Sequence, residues 1–324
     1  MAAFLARRLA QGLAVVALVA TIVFFLIHLV KGDPFSASVD RPEISEAIRA
    51  SWRHSYGLDR PLPEQYVRYV ASIARGDLGF SFSQHRPVRD ALAAALPNTL
   101  LLMSVALAAA FALGIAVAVA QVRWQGKLPD RLLGGISIFL FSVPDFWLAM
   151  IVLTSLSLWV HWFPIGGSVT PTEYDAMGAA ARVADRLWHL VLPALSLALL
   201  YFPVIARHQR AALLESISSD YVTTARAKGV SERAIVTRHA LRNALLPVVT
   251  ILGVAFPALA TGAVFVEKIF GWPGMGLLIV GSIGSLDYPL LTAAVLLAST
   301  FVVLGSILSD VLYRWLDPRL HDDS

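Results

Sequence analysis

The chain has 324 residues, of which 57% are hydrophobic and 15% charged, with 26 basic and 22 acidic side chains and a net charge of +4. A soluble domain carries about 25% charge; this composition leaves too little to cover a water-exposed surface, while a mean hydropathy of +0.68 excludes a disordered chain. The absence of cysteine excludes disulfides, thiolate metal sites and cysteine nucleophiles, and the small, scattered positive excess does not make a nucleic-acid binder.

A helix needs about 20 apolar residues to cross a bilayer. Leu9–Val30 is free of charge and gives the first expected span, 9–30. Two arginines ahead of an apolar run also describe a signal peptide, but the 22 residues here exceed a signal core of about 7–15. Residues 31–96 form a polar segment on the other side. Asp40 is placed to cap a helix with Pro42 in its first turn, putting Ile44, Ala47, Ile48 and Trp52 on one face. A turn at 56–61 precedes a second helix from about Pro63, with Tyr66, Tyr69, Val70 and Ile73 together and Gly76 as its stop. The pair reads as a helical lid on the outer membrane surface; the alternative is a solvated loop with incidental helices.

Five further spans are expected at 97–121, 132–160, 188–207, 247–266 and 288–311. In the third, Asp145 is the one charge between two apolar runs, which reads as one span with a buried acid. An acid at that depth is costly and therefore a functional candidate: it lines a cavity and meets a substrate amine or a polar partner helix, or it is tied to a neighbouring helix for packing. Residues 269–286 hold five glycines and Pro273, and read as a re-entrant or interfacial loop resting on protein. Asp310 and Arg314, one turn apart near the end of the last span, read as an interfacial anchor. His28 reads as structural.

Orientation follows from lysine and arginine. Segment 122–131 has three basic residues and one acidic, and 207–246 has seven and three, against two and three in 161–187 and one and two in 267–287. The bias puts both termini and the two basic loops in the cytoplasm.

In loop 207–246, Ser218-Ser219-Asp220 offers an N-cap, Tyr221 to Lys228 a two-turn helix, and Gly229 its left-handed end. Ser231 caps a second helix that runs through Asn243 toward Pro247. A short helix with small residues between two spans is a shape that enters a groove on another protein; the alternative is a basic loop held to anionic headgroups. No phosphate-cradling loop is present: the only Gly-Lys, Gly126-Lys127, is followed by Leu128. HExxH and GxSxG are absent, and the eight histidines show no paired ligand spacing. An intramembrane enzyme therefore lacks a catalytic constellation. If transport is driven by ATP, the ATPase is another chain. An ion-coupled secondary transporter finds support in Asp145 and the glycine-rich segment but leaves the capped helix pair without a purpose.

Asp220-Tyr221-Val222-Thr223-Thr224-Ala225-Arg226-Ala227-Lys228-Gly229, followed by His239-Ala240-Leu241-Arg242-Asn243-Ala244-Leu245-Leu246-Pro247, resembles the cytoplasmic coupling loop of ABC-importer permeases, specifically the dipeptide/oligopeptide/nickel branch and its permease "B" subunit. Gly32-Asp33-Pro34, Tyr56 to Leu62, Arg75 to Ser81, Pro97-Asn98-Thr99-Leu100, Ser142 to Trp147 and Val266 to Gly276 extend the match along nearly the whole chain. The general importer pattern opens on glutamate; here Thr223, Thr224 and Ala225 stand in the first three places before Gly229.

The resemblance implies an all-α polytopic membrane protein, the type I ABC-importer permease fold with six transmembrane helices and a helical outer loop between helices 1 and 2. It divides into the N-terminus and first helix (1–30), the extracytoplasmic loop (31–96), the permease core (97–316, with coupling loop 207–246) and a cytoplasmic tail (317–324). It implies a multi-pass protein of the bacterial inner membrane that imports peptides, or nickel chelates in the same family. The implied partners are a second homologous permease, two cytoplasmic ATPase domains, an extracytoplasmic solute-binding protein, the peptide substrate and membrane lipid, with no nucleic acid. ATP and magnesium belong to the partner subunits, and this chain binds no cofactor and no metal. Asp220, Tyr221, Thr224, Ala225, Ala227, Lys228 and Gly229 are expected to couple to the ATPase. Asp145, Glu267 and Trp272 are expected in the translocation pathway or at the outer gate, and the region of Glu267 and Trp272 near the receptor-docking surface.

Overall fold

The computed structural model describes residues 2–29, 59–256, 259 and 263–316. Nearly all of them are helical: α1 (Ala2–Leu29), α2 (Leu62–Ala74), α3 (Val88–Arg123), α4 (Leu128–Ser142), α5 (Asp145–Leu153), α6 (Ala179–Ile217), α7 (Asp220–Ala227), α8 (Glu232–Ala234), α9 (Leu241–Ala244), α10 (Leu246–Ala255), α11 (Val264–Ile269), α12 (Met275–Gly284) and α13 (Tyr288–Leu316). A short antiparallel hairpin pairs β1 (Phe80–Ser81) with β2 (Arg86–Pro87). The first candidate helix of the outer loop, around 42–52, lies outside the described residues.

Among the described residues, four helices are long and apolar enough to cross a membrane: Ala6–Leu29, Val88–Arg123, Ala179–Ile217 and Tyr288–Val311. The expected third span is not straight. Leu128–Ser142 and Asp145–Trp159 form an apolar pair bent by 107° at the break between them. The cause is local. Pro144 disfavours the helical conformation in the residue before it, and both Val143 and Pro144 are extended. Beyond α5 the chain continues as a π turn, Thr154–Trp159. The expected fifth span, 247–266, is represented by α10 and the start of α11, and part of the stretch between them lies outside the described residues.

The glycine-rich segment departs from expectation too. Most of it is the ten-residue helix α12, and of its five glycines only Gly271 takes a left-handed conformation, at φ +59°. The others serve close approach or sit within α12, where the apolar side chains between them satisfy a helix.

Residue contacts divide the chain into two units, Met1–Pro97 with Leu277–Val303, and Asn98–Gly276 with Leu304–Ser324. In the first, α2 rests on α1. The Tyr66 hydroxyl hydrogen-bonds Thr21 Oγ1 at 2.8 Å, Tyr69 donates to the Ala20 carbonyl at 3.3 Å, and His28 contacts Gln65 Oε1 at 3.0 Å. Both tyrosine rings lie against Phe24. Burial and the neighbouring Tyr66 push the Tyr69 phenol up to about 12, so it remains a donor throughout the physiological range. In the same unit Asp287, almost wholly buried, accepts hydrogen bonds from Ser81 Oγ (2.6 Å), Ser83 N (2.9 Å) and Ser83 Oγ (2.7 Å) and from Leu290 N (3.2 Å). One carboxylate thus caps the start of α13 and holds the β1–β2 turn.

The second unit is built around α6, which packs on α4, α5 and α10. Gly114 of α3 allows α6 to come close: a Cβ there would stand 2.8 Å from Ile205, the small-residue contact that brings membrane helices together. With 39 residues, α6 is about 58 Å long at 1.5 Å per residue, against a hydrocarbon layer of about 30 Å. It is therefore longer than one crossing of the bilayer requires.

Candidate functional site

Two constellations in the second unit contain all of the expected site residues except Asp145. The first is the helix pair that follows α6. Ser219 occupies the N-cap position of α7, but its hydroxyl donates back to the Glu215 carbonyl at 3.3 Å instead of capping. The end of α7 is closed by its backbone. Gly229 N donates to Arg226 O at 2.9 Å and Val230 N to Ala225 O at 3.2 Å, the two bonds of a Schellman motif. Gly229 supplies the left-handed residue at φ +79°, as its type and position imply. Val230 then turns back onto Val222, Ala225 and Ile235, which form a small buried cluster.

Ser231 opens the next helix, its hydroxyl accepting from Ala234 N at 3.4 Å. Between α8 and α9 the chain makes a π turn, Ile235–Ala240, a widening that often marks a functional position. It seats Ile235 and Ala240 inward, both fully buried. Ser216 ties the pair to α6, and an ion pair ties its two helices to each other. Ser216 hydrogen-bonds the Tyr221 hydroxyl and also donates to the Ala240 carbonyl at 3.1 Å. Arg226 binds Glu232 through Nε at 2.7 Å and Nη2 at 3.2 Å. That bond holds the Glu232 carboxyl below its ordinary value and raises Arg226.

The seven residues expected to couple to an ATPase therefore divide. Asp220, Tyr221, Thr224, Ala227, Lys228 and Gly229 are exposed. Ala225 is buried against Val222 and Ile235, so its small side chain serves the chain's own packing and is not part of an outward face.

The second constellation joins α3 to the segment after α11. Glu267 and Trp272 are fully buried. Thr99 Oγ1 donates to Glu267 Oε1 at 2.9 Å and accepts from Met275 N at 2.7 Å. Trp272 Nε1 donates to the Asn98 carbonyl at 3.0 Å, and Asn98 Nδ2 donates to the Pro273 carbonyl at 2.9 Å. Arg186 of α6 donates to Asn98 Oδ1. The glycines make this possible. A Cβ on Gly274 would collide with Thr99 Oγ1 and stand 2.6 Å from Glu267 Cδ, and one on Gly276 would stand 2.8 Å from Val264 Cα. Glu267 and Trp272 thus form an internal clasp, facing protein on all sides. In the sequence, Pro97-Asn98-Thr99-Leu100 belongs to the family resemblance and has no role assigned to it. The signal for one was a polar pair, Asn98-Thr99, at the head of an otherwise apolar run.

Asp145 is not brought to either constellation. It is the first residue of α5 and exposed, which corrects the expectation of an acid buried within a straight span. A carboxylate in a first helical turn faces free backbone N–H groups and the positive end of the helix dipole. The Asp310–Arg314 pairing involves a side chain outside the described set.

Residues 94–322 match the family described as "Binding-protein-dependent transport system inner membrane component", and residues 1–103 match its N-terminal component. The chain is 36% identical over 322 residues to the oligopeptide transport system permease protein AppB of Bacillus subtilis, covering 99% of both chains. It is 36% identical over 317 residues to a putative peptide permease protein of Brucella ovis, covering 97% of both. The glutathione transport system permease protein GsiC of Salmonella paratyphi A is also 36% identical, covering 98% of both. The chain thus belongs to the inner-membrane components of binding-protein-dependent transport systems, the permease subunits of ABC importers, and is a multi-pass membrane protein.

Proposed function

We propose that the chain is one of two permease subunits of an ATP-driven peptide importer, each forming half of the translocation pathway. The observation that carries this reading is similarity over the full length to chains named as oligopeptide, peptide and glutathione permeases. Segment 247–266 is taken as the remaining span of six, with both termini cytoplasmic as the lysine and arginine bias requires.

In this reading α7 is the coupling helix. Its outer face, carrying Asp220, Tyr221, Thr224, Ala227 and Lys228, enters a groove on a cytoplasmic ATPase, while Ala225 from within and Gly229 by its left-handed turn shape the helix end. Closure of two ATPase domains on ATP moves α7 and α6 together, a rigid-body change. The driving energy is the differential affinity of nucleotide for the two states. Asp145, exposed at a helix start, is the accessible member of the expected pathway residues and meets a peptide amine or the second permease. Glu267 and Trp272 act at the outer end by fixing the backbone there. An extracytoplasmic binding protein supplies the solute and carries most of its selection.

The test is uptake of a labelled tripeptide, and of glutathione, by cells with and without this chain, combined with purification of its complex from native membrane. Uptake that depends on ATP, with ATPase subunits bound to the chain, supports the reading. Uptake abolished by a protonophore at undiminished ATP, from a chain that purifies alone, would establish a secondary transporter instead.

A further inference from the structure

The second unit has a cavity of about 300 Å³ between α3, α4 and α6, at the small end of the range of ligand pockets. Its walls are Ile138 and Phe141 from α4 and Pro203 from α6, and its polar rim is Gln121, Arg207 and Arg210. The two guanidiniums lie three residues apart on one face of α6. Arg207 is exposed, with its guanidinium carbon 5.7 Å from the centre of the Phe141 ring.

Arg210 donates through Nη2 to Asp130 at 3.2 Å, and Asp130 also accepts from Gly126 N at 3.0 Å. Its Nε is buried and has no hydrogen-bond partner among the described residues. The surroundings are strongly positive. Arg123, Lys127 and Arg131 stand on the adjoining ends of α3 and α4, and Asp130, already engaged, is the only acid in 122–131. Trp124, exposed beside Arg123, is the aromatic type found at a membrane–water boundary.

We propose that this cavity binds an anionic phospholipid, its phosphate on Arg207 and the free Nε edge of Arg210 and its acyl region against Ile138, Phe141 and Pro203. Basic pockets between membrane helices at the level of the headgroups bind such lipids. Free phosphate is also anionic but gains nothing from the apolar wall. The exposed apolar side chains Ile136, Ile138, Phe139 and Phe141 continue that wall outward along α4, where an acyl chain would extend.

The test is native mass spectrometry of the membrane complex, purified with its natural partners and reconstituted in nanodiscs that mix phosphatidylcholine with a minor share of phosphatidylglycerol. The wild type is expected to retain phosphatidylglycerol through detergent extraction in preference to phosphatidylcholine. Arg207→Gln should weaken that retention about five-fold, the effect of one cation near a lipid surface. Arg207→Lys should keep most of it, and Arg131→Gln, at the same level but off the cavity, should leave it unchanged. Arg207 makes no ion pair among the described residues, so its variants are expected to fold, and monodisperse elution checks this. Equal loss in Arg207→Gln and Arg131→Gln would reduce the effect to general surface charge and overturn the site. Displacement of the lipid by millimolar inorganic phosphate would assign the cavity to free anions. Equal retention of the two lipids, or of neither, would also overturn it.

Discussion

Gly229 gives the sharpest test of the coupling reading, because its two contributions separate in the structure. Its φ of +79° is a conformation that costs an L-residue roughly 1–2 kcal/mol, and a β-branched one more. A Cβ built there meets nothing within 4 Å, so substitution strains the backbone without a clash inside this chain. If the strain is relieved, the bonds from Gly229 N to Arg226 O and from Val230 N to Ala225 O break, and Val230 leaves the cluster of Val222, Ala225 and Ile235. Gly229→Ala should therefore lower the population of the closed loop by a factor of about 5–30, and Gly229→Val by more. The spans lie elsewhere and should insert normally. The assay is peptide uptake and ATPase stimulation by loaded binding protein in the reconstituted complex. Both should fall in the order glycine, alanine, valine at unchanged complex yield. Ala227→Leu separates docking from geometry. Ala227 is exposed in this chain, so leucine there disturbs only a partner's groove. Normal transport by Gly229→Val would refute the coupling-helix reasoning outright.

Asp145→Asn should reduce uptake while the complex assembles at wild-type yield; unchanged uptake and assembly would remove Asp145 from the pathway. Thr99→Val leaves Glu267 Oε1 and Met275 N each one partner fewer, and at about 1–3 kcal/mol for a buried group deprived of its bond it should lower the melting temperature of the purified protein. Thr99→Ser should restore most of that loss, and a melting temperature equal to wild type in Thr99→Val would show that the clasp contributes no stability. The Arg226–Glu232 tie should respond to acid with a definite sign. The Glu232 carboxyl is held below its ordinary 4.5, so its contribution is complete above that pH and is lost as pH falls through the lower folded value. Amide exchange in α7 and α8 should rise only below about pH 4.5, and a rise already at pH 6 would show that another group is responsible. Because the chain has no cysteine, single cysteines test the topology directly. Thr172→Cys should label from outside, and Gly126→Cys and Lys228→Cys only after permeabilisation. Labelling of Lys228→Cys in intact cells would invert the scheme.

The long spans were legible because apolar runs of 20 residues have one stable form in a bilayer, in which every backbone group is satisfied within the segment. Gly229 was legible for a similar reason: a glycine at the end of an amphipathic turn has one common use. The bend at Pro144 was hidden because hydropathy integrates over a window and is blind to direction. Only the restriction on Val143 marked the break, and the apolar residues on both sides masked it. The glycines between Gly271 and Gly284 misled the reading. Glycine signals either a positive φ or a close approach, and sequence does not distinguish them. Gly274 is there to admit Thr99 and Glu267, a contact formed across 168 residues of chain between those two. Ala225 illustrates the same limit at short range. Small residues suit an outward groove and an inward cluster equally well, and Val222 and Ile235 decide between them only once the second helix has folded back.

The placement of the two constellations on α6 bears on how a movement at one reaches the other. Arg186 holds Asn98 near the start of the helix, and Ser216 holds Tyr221 and Ala240 at its end. About 45 Å of helix separates these anchors at 1.5 Å per residue, with no loop between them. Under the proposed coupling, a displacement of α7 would reach the clasp of Asn98, Trp272 and Pro273 through one element, with no need for a chain of rearranging side chains. The interruptions in that element are Pro193 and Pro203, each lacking an N–H and each crowding the carbonyl four residues earlier. Helices bend at such positions before they bend elsewhere. Ser196, buried and donating to the Leu192 carbonyl at 2.9 Å, ties the backbone beside the first, while the second opens onto the cavity between α3, α4 and α6. Bending at Pro203 would dissipate a push from α7 before it reached the outer end. A ligand seated against Pro203 and held by Arg207 and Arg210 would resist that bend, which would connect the proposed lipid site to transport through the stiffness of α6 and not through contact with the solute.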